Sequence, residues 1–135
     1  MTSECRLGRR VQFYETDLVG MVHFSWYFRY MEEAEHALWR SAGLSIAPPD
    51  ANVRFPRVAA SCDFRAPLRF EDEFTVTIRV AAITARTMRY ECVITRGDTL
   101  IAAGGMTVAC IQADAAGPPK AIDIPASIAG CFRVA

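Results

Sequence analysis

Val11-Gln12-Phe13-Tyr14-Glu15-Thr16-Asp17-Leu18-Val19-Gly20-Met21-Val22-His23-Phe24 joins a strand-like run to a helix-like one, with Asp17 at the join. Upstream, Leu7, Val11 and Phe13 alternate with other residues, although Arg9 interrupts the apolar set, which predicts a first strand that is not fully buried. The alternation stops at Glu15-Thr16-Asp17, where short polar side chains favour a turn. Downstream, Tyr27, Tyr30, Met31, Ala34, Ala37, Leu38 and Ser41 recur at helical spacing, predicting a helix of about five turns from Ser25 to about Ala42. Ser25 is a candidate N-cap, Gly43 a C-terminal stop, and Pro48-Pro49 forbids continuation. A carboxylate just before a helix start stands beside backbone N–H groups that lack intrahelical partners. Such amides can hold a carbonyl oxygen while the carboxylate serves as base or nucleophile, so the join points to acyl chemistry. The plainer reading makes Asp17 a turn or capping residue.

The second half reads as sheet. Val58, Ala60, Cys62 and Phe64 alternate with more polar or smaller residues until Pro67. Phe74, Val76, Ile78 and Val80 form a second apolar face, and Met88, Tyr90, Cys92 and Ile94 a third, closed by a hairpin turn at Arg96-Gly97-Asp98. Leu100 to Ile111 is apolar or small on both faces, as in a central strand or one packed on a neighbouring subunit, and Gly104-Gly105 allows close backbone approach. Ala115-Ala116-Gly117-Pro118-Pro119 leaves the sheet. The order is therefore strand, long helix, then four strands with antiparallel connections, an α+β pattern in which a curved sheet can wrap the helix. Segment order alone fits other α+β arrangements too.

Composition narrows the class. The chain has 135 residues, 52% of them hydrophobic, enough for one domain, 1–135, with a substantial core. Its 15 basic and 15 acidic residues leave no net charge, so nothing calls for nucleic acid or an anionic membrane surface. No apolar stretch reaches the roughly 20 residues that span a bilayer, and Met1-Thr2-Ser3-Glu4-Cys5-Arg6 has no hydrophobic signal core, so a cytoplasmic location is expected. The 5 cysteines are dispersed, with no Cys-x-x-Cys pair, which argues against a disulfide framework and a metal site. Cys62, Cys92 and Cys110 lie in strand-like runs and read as structural thiols.

Three stretches in order resemble the hotdog-fold acyl-CoA thioesterases, in particular the 4-hydroxybenzoyl-CoA thioesterase-like branch. The densest runs from Phe13 to Gly43: an aromatic-acid-Thr-Asp turn, Gly20 three residues after the Asp, Tyr27 ten after it, then Arg29-Tyr30 and Glu33-Ala34. The second is Phe64-Arg65-Ala66-Pro67-Leu68-Arg69-Phe70-Glu71-Asp72-Glu73-Phe74, and the third Ile122-Asp123-Ile124-Pro125. The resemblance covers residues 6–125 and implies an antiparallel sheet of about five strands wrapped around one long central helix. It further implies a homodimer or homotetramer with the site at the subunit interface, acyl-CoA as substrate, and no cofactor other than the coenzyme A of that substrate.

The resemblance also assigns roles. Asp17 takes the place of the catalytic carboxylate; the carbonyl-polarising N–H falls near Phe24 and Ser25, with Gly20 keeping the approach open. A sister branch carries a His at the position of Phe24, whereas here the nearest is His23. One residue of shift in extended chain turns a side chain to the opposite face, so His23 is either a proton donor in the site or a structural His. Trp26 and Tyr27 are candidate acyl-pocket residues. Arg65 and Arg69 are expected to meet the CoA phosphates, among the candidates Arg54, Arg57, Arg86 and Arg89. Glu33 borders the apolar arc of the helix and reads as a second carboxylate or a partner of an arginine, while Glu32 and Glu35 read as solvated and His36 as a partner for Glu32.

Thioester hydrolysis needs a nucleophile, a donor for the developing oxyanion and a leaving thiolate. A thiol with a pKa of about 8.5 leaves without strong acid help, so one carboxylate and an oriented amide suffice, with Asp17 attacking directly or activating water. The expected function is an acyl-CoA thioesterase. Its alternatives are a thioesterase for acyl-carrier-protein esters, a hotdog dehydratase, and a non-catalytic acyl-CoA-binding oligomer.

Overall fold

Alternating side chains give the sheet its two faces. The computed structural model describes residues 2–114 and 116–135; of the stretch read as leaving the sheet, Ala115 lies outside the described residues, as does Met1 at the amino terminus. Strand β1 (Glu4–Arg10) leads through a 3-10 turn (Phe13–Glu15) to the long helix α1 (Ser25–Ser41). After a short strand β2 (Val53–Arg54) come β3 (Arg57–Phe64), β4 (Glu73–Ile83), β5 (Thr87–Arg96), β6 (Thr99–Ala109), a second short strand β7 (Ile111–Gln112) and one turn of helix, α2 (Ala126–Ala129). The five main strands form one antiparallel sheet in the order β1-β4-β5-β6-β3, and β2 pairs with β7 beside it.

Register carries the core across the sheet. Val76 pairs with Ile94, Ile78 with Cys92 and Val80 with Tyr90, while Tyr90 and Met88 pair onward with Met106 and Val108. All are buried, and Tyr27, Tyr30, Met31, Ala34 and Leu38 of α1 lie buried in the same core. Each Val, Leu, Ile or Met side chain among them contributes about 1.5–3 kcal/mol on leaving water. Aromatic contacts join the layers, with Tyr30 4.7 Å from Phe74 and Trp39 4.9 Å from Phe55 and 5.0 Å from Phe132, centroid to centroid. The Trp39 indole N–H donates to the Tyr90 hydroxyl at 2.9 Å, which satisfies a buried donor.

β6 is central, flanked by β5 and β3, as its two apolar faces predict. At Gly104 a Cβ would stand 2.1 Å from the Ser61 carbonyl oxygen, so only glycine lets β3 approach. The hairpin at Gly97 and the stop at Gly43 use positive φ, +57° and +78°.

Four sequence readings change. Phe13 belongs to the 3-10 turn and is 74% exposed, because the strand ends at Arg10. The apolar face of β3 is largely open: Val58 and Phe64 are more than half or half exposed, since β3 is an edge strand. Glu35 is fully buried; its position on the helix turns it toward Arg57, whose Nη2 lies 2.6 Å from Oε1. Glu32 then pairs with Arg57 at 3.5 Å, and the His36 Nε2 lies 3.9 Å from Glu35 instead.

Candidate active site

The turn before α1 is built around two carboxylates. Thr16 and Val22 bridge in antiparallel fashion, closing the loop between them. Within it the Asp17 N–H donates to the Met21 carbonyl at 2.8 Å, and Gly20 N–H returns to the Asp17 carbonyl at 3.0 Å. Asp17 Oδ1 accepts the N–H groups of Val19 (2.9 Å) and Met21 (3.3 Å). No hydrogen bond among the described residues engages Oδ2. The capping and catalytic readings of Asp17 thus call on different oxygens. Gly20 sits at φ +81°, which a side chain would strain; a Cβ there would meet nothing closer than Arg69 Nη1 at 4.0 Å.

The helix start is capped by a ring nitrogen. Ser25 N–H and Oγ lie 3.3 and 2.8 Å from His23 Nδ1, so Nδ1 accepts from the backbone and the ring proton belongs on Nε2. Trp26 N–H donates to the His23 carbonyl at 2.9 Å. Ser25 is already the first residue of the helix, so the N-cap position falls to Phe24, itself at helical angles (φ −55°, ψ −29°) and without a capping side chain. The Phe24 N–H meets no acceptor among the described residues, whereas the Ser25 N–H is already directed at His23.

A cavity of about 370 Å³ opens at this junction, lined by Asp17, Met21, Phe24, Tyr27, Phe64, Arg65 and Pro67 among others. Tyr27 is buried, with Phe64 edge-on to it at 5.0 Å; burial raises the Tyr27 phenol above its ordinary pKa and keeps it a neutral wall. A larger depression of about 560 Å³ crosses β1 and β4, but its Arg10 and Glu73 pair with each other at 2.8 Å, and the Asp17 turn has no part in it.

The predicted site residues divide accordingly. Asp17, Phe24, Tyr27 and Arg65 share the cavity. Gly20 and Arg69 adjoin it through the turn and the bridge between Met21 and Arg69, and Ser25 follows Phe24 at the helix start without lining the cavity. His23 and Trp26 do not line it: His23 serves the helix start, and Trp26 packs between Tyr14 (5.6 Å) and Tyr30 (6.1 Å), with the Arg29 guanidinium over its ring. Sequence reasoning passes over Phe64 as a site residue, because an apolar residue closing a strand reads as core. Its one signal is that it opens the second family-like stretch.

Among the candidate arginines, Arg57, Arg86 and Arg89 are held by Glu35, Asp123 and Glu91. Arg54, Arg65 and Arg69 pair with no carboxylate among the described residues. The thiols of Cys62 and Cys92 are pushed up to about 11 and about 12 by burial, which suits structural cysteines. No group of three metal-binding side chains occurs among the described residues, and no helix there is long and apolar enough to cross a membrane.

The fold and the acid-bearing turn define a hotdog domain of the thioester-hydrolase class. Residues 19–103 match the Thioesterase superfamily, and the chain belongs to that family. A protein of Aquifex aeolicus (strain VF5) described as a "Putative esterase" is 36% identical over 95 residues, 70% of this chain and 74% of that one. A crystal structure of a hypothetical protein from Aquifex aeolicus superposes with a TM-score of 0.88 at 29% identity, covering 96% of this chain and 99% of that one. A gentisyl-coenzyme A thioesterase superposes with a TM-score of 0.80 at 26% identity, covering 93% of this chain and 99% of that one.

Proposed function

We propose that this enzyme hydrolyses acyl-CoA thioesters to the free acid and coenzyme A. One observation carries the reading: a carboxylate with an unengaged oxygen and a backbone N–H without an acceptor belong to residues lining the same largely apolar cavity. The acyl group enters between Tyr27 and Phe64, and its carbonyl oxygen accepts the Phe24 N–H, with the Ser25 N–H as second donor if it leaves His23. Asp17 Oδ2 then activates water, or attacks the carbonyl to form an anhydride that water opens. Either way the charge that develops on oxygen meets a preorganised dipole at the helix start. The thiolate departs, and no cofactor is required beyond the coenzyme A carried by the substrate.

The similarity to a gentisyl-coenzyme A thioesterase supports a CoA ester, and the aromatic walls suit a flat acyl group. Arg65 and Arg69, which pair with no carboxylate among the described residues, are the proposed phosphate contacts. The open edge of β3 is proposed to pair with a second copy, giving a homodimer or homotetramer with the site at the interface. Five free cysteines suit the cytoplasm. A dehydratase would need an imidazole facing the acid, and His23 Nδ1 is committed to the helix start.

Free-thiol release from short, long, branched and aromatic acyl-CoAs tests the proposal. Turnover that Asp17→Asn removes supports it. Saturable binding of the same esters without thiol release would overturn it in favour of a binding protein, and release only from carrier-protein esters in favour of that substrate class.

A further inference from the structure

Glu15 has a fully buried carboxylate that the proposed chemistry does not use. Its Oε1 accepts three donors: the Gln12 N–H at 2.8 Å, the Tyr30 hydroxyl at 2.9 Å and Arg9 Nη1 at 2.9 Å. Oε2 lies 2.6 Å from Arg9 Nη2 as an ion pair without an aligned hydrogen bond, and the same nitrogen donates to Glu33 Oε2 at 3.3 Å. Arg9 Nε reaches Glu33 Oε1 at 2.7 Å, and the guanidinium stacks 4.8 Å over the Tyr30 ring. Burial works against the Arg9 charge, but the hydrogen bonds and charges of Glu15 and Glu33 outweigh it and raise its pKa. β1 and α1 are thus tied together through one carboxylate.

The main chain of Glu15 does the rest. Its carbonyl accepts the His23 N–H at 2.8 Å. His23 precedes Phe24, and Glu15 lies two residues before Asp17. One anchored residue therefore reaches both halves of the proposed machinery, the carboxylate and the N–H that polarises the carbonyl.

We infer that Glu15 is a positioning residue, whose side chain, clamped by Arg9, Gln12 and Tyr30, sets Asp17 and the Phe24 N–H relative to each other. This rests on the reading of Asp17 and Phe24 given above. A buried anchor that accepts three donors on one oxygen and an ion pair on the other holds such a geometry better than the exposed turn itself, and a misplacement of about 1 Å costs on the order of 10²-fold in rate. Glutamine substitutes poorly: with its oxygen in the place of Oε1 it keeps the three donors, but its NH2 group then stands against the Arg9 guanidinium where Oε2 makes its ion pair.

The test compares wild type, Glu15→Gln, Tyr30→Phe, the double variant and Asp17→Asn in oligomers of verified size. kcat and KM are measured on the best acyl-CoA, with Kd and site stoichiometry for its non-hydrolysable thioether. Positioning predicts a kcat roughly 10²-fold lower in Glu15→Gln and roughly tenfold lower in Tyr30→Phe. The double variant falls no further than Glu15→Gln, while Kd stays within about twofold and every chain still binds one thioether. A kcat loss matched by lost binding sites reports a merely structural role and overturns the inference. So does near-wild-type kcat in both single variants while Asp17→Asn is inactive, an outcome that leaves the Asp17 reading standing. Full turnover in Asp17→Asn removes both. If Glu15→Gln does not fold, Tyr30→Phe carries the comparison, since it deletes one hydroxyl from the same anchor.

Discussion

At the residue scale, function turns on which oxygen of Asp17 is free. Asp17→Asn keeps an Oδ1 that can accept the Val19 and Met21 N–H groups, so the turn persists while the basic oxygen is replaced by an amide nitrogen. Hydrolysis is expected to fall by about 10²–10⁴-fold with fold and oligomer intact; thiol release beside circular dichroism checks both. Asp17 is legible in the sequence because an acid between two periodicities is visible in one dimension. The burial of Glu15 and Glu35 is not, since it depends on partners that the fold supplies, Arg9 across the turn with Tyr30 of α1 for Glu15 and Arg57 of β3 for Glu35. Burial raises the Glu35 carboxyl above its ordinary value near 4.5, against the opposing influence of Arg57, Tyr90 and His36, and Oε2 has no hydrogen-bond partner among the described residues. A carboxyl raised in the fold contributes stability below its unfolded pKa and loses it as pH rises through the folded value. The stability of Glu35→Gln relative to wild type should therefore increase from pH 4 upward, by at most about 1.4 kcal/mol per pH unit. Thermal melts of both proteins from pH 4 to pH 8 measure it. A difference that is flat or shrinks would mean that the pair with Arg57 outweighs the cost of burial.

At the element scale, neighbouring strands are brought together by small residues as well as by large ones. Gly104 brings β6 against β3, and a methyl group there would meet the Ser61 oxygen at 2.1 Å and the Cys62 Cα at 2.9 Å, both backbone atoms. Gly104→Ala should destabilise by about 1–3 kcal/mol, as overpacking does, and loosen β3 first. Hydrogen exchange of the β3 amides should rise before that of β4 and β5; unchanged protection would show that the strands can part at no cost. The close approach is legible from Gly104-Gly105, and the helix from its spacing. The short pair β2–β7 and the turn α2 are not, because two residues carry no period and only the tertiary contact makes them strands.

At the scale of the whole molecule, β3 leaves a polar edge and a half-open apolar face. Arg65 N–H donates to the Ile101 carbonyl, so by alternation Asp63 and Ser61 turn their N–H groups toward β6, and Cys62 and Ala60 turn theirs outward. Such an edge invites a second strand. Ala60→Pro removes an outward donor that β6 does not use and should shift the proposed dimer to monomer; light scattering reads the mass, and an unchanged mass would place the interface elsewhere. By itself the sequence determined what local chemistry dictates: the long helix, the four alternating runs, the glycine approach and an acid before a helix start, with the family resemblance selecting the hotdog arrangement. Only the tertiary structure decided that Phe64 and Arg65 line one cavity with Asp17, that Trp26 and His23 do not line it, and that Glu15 and Glu35 are interior. The reason is physical: periodicity records which face of an element meets the core, whereas pairing between charges and the walls of a cavity depends on where separate elements meet in space.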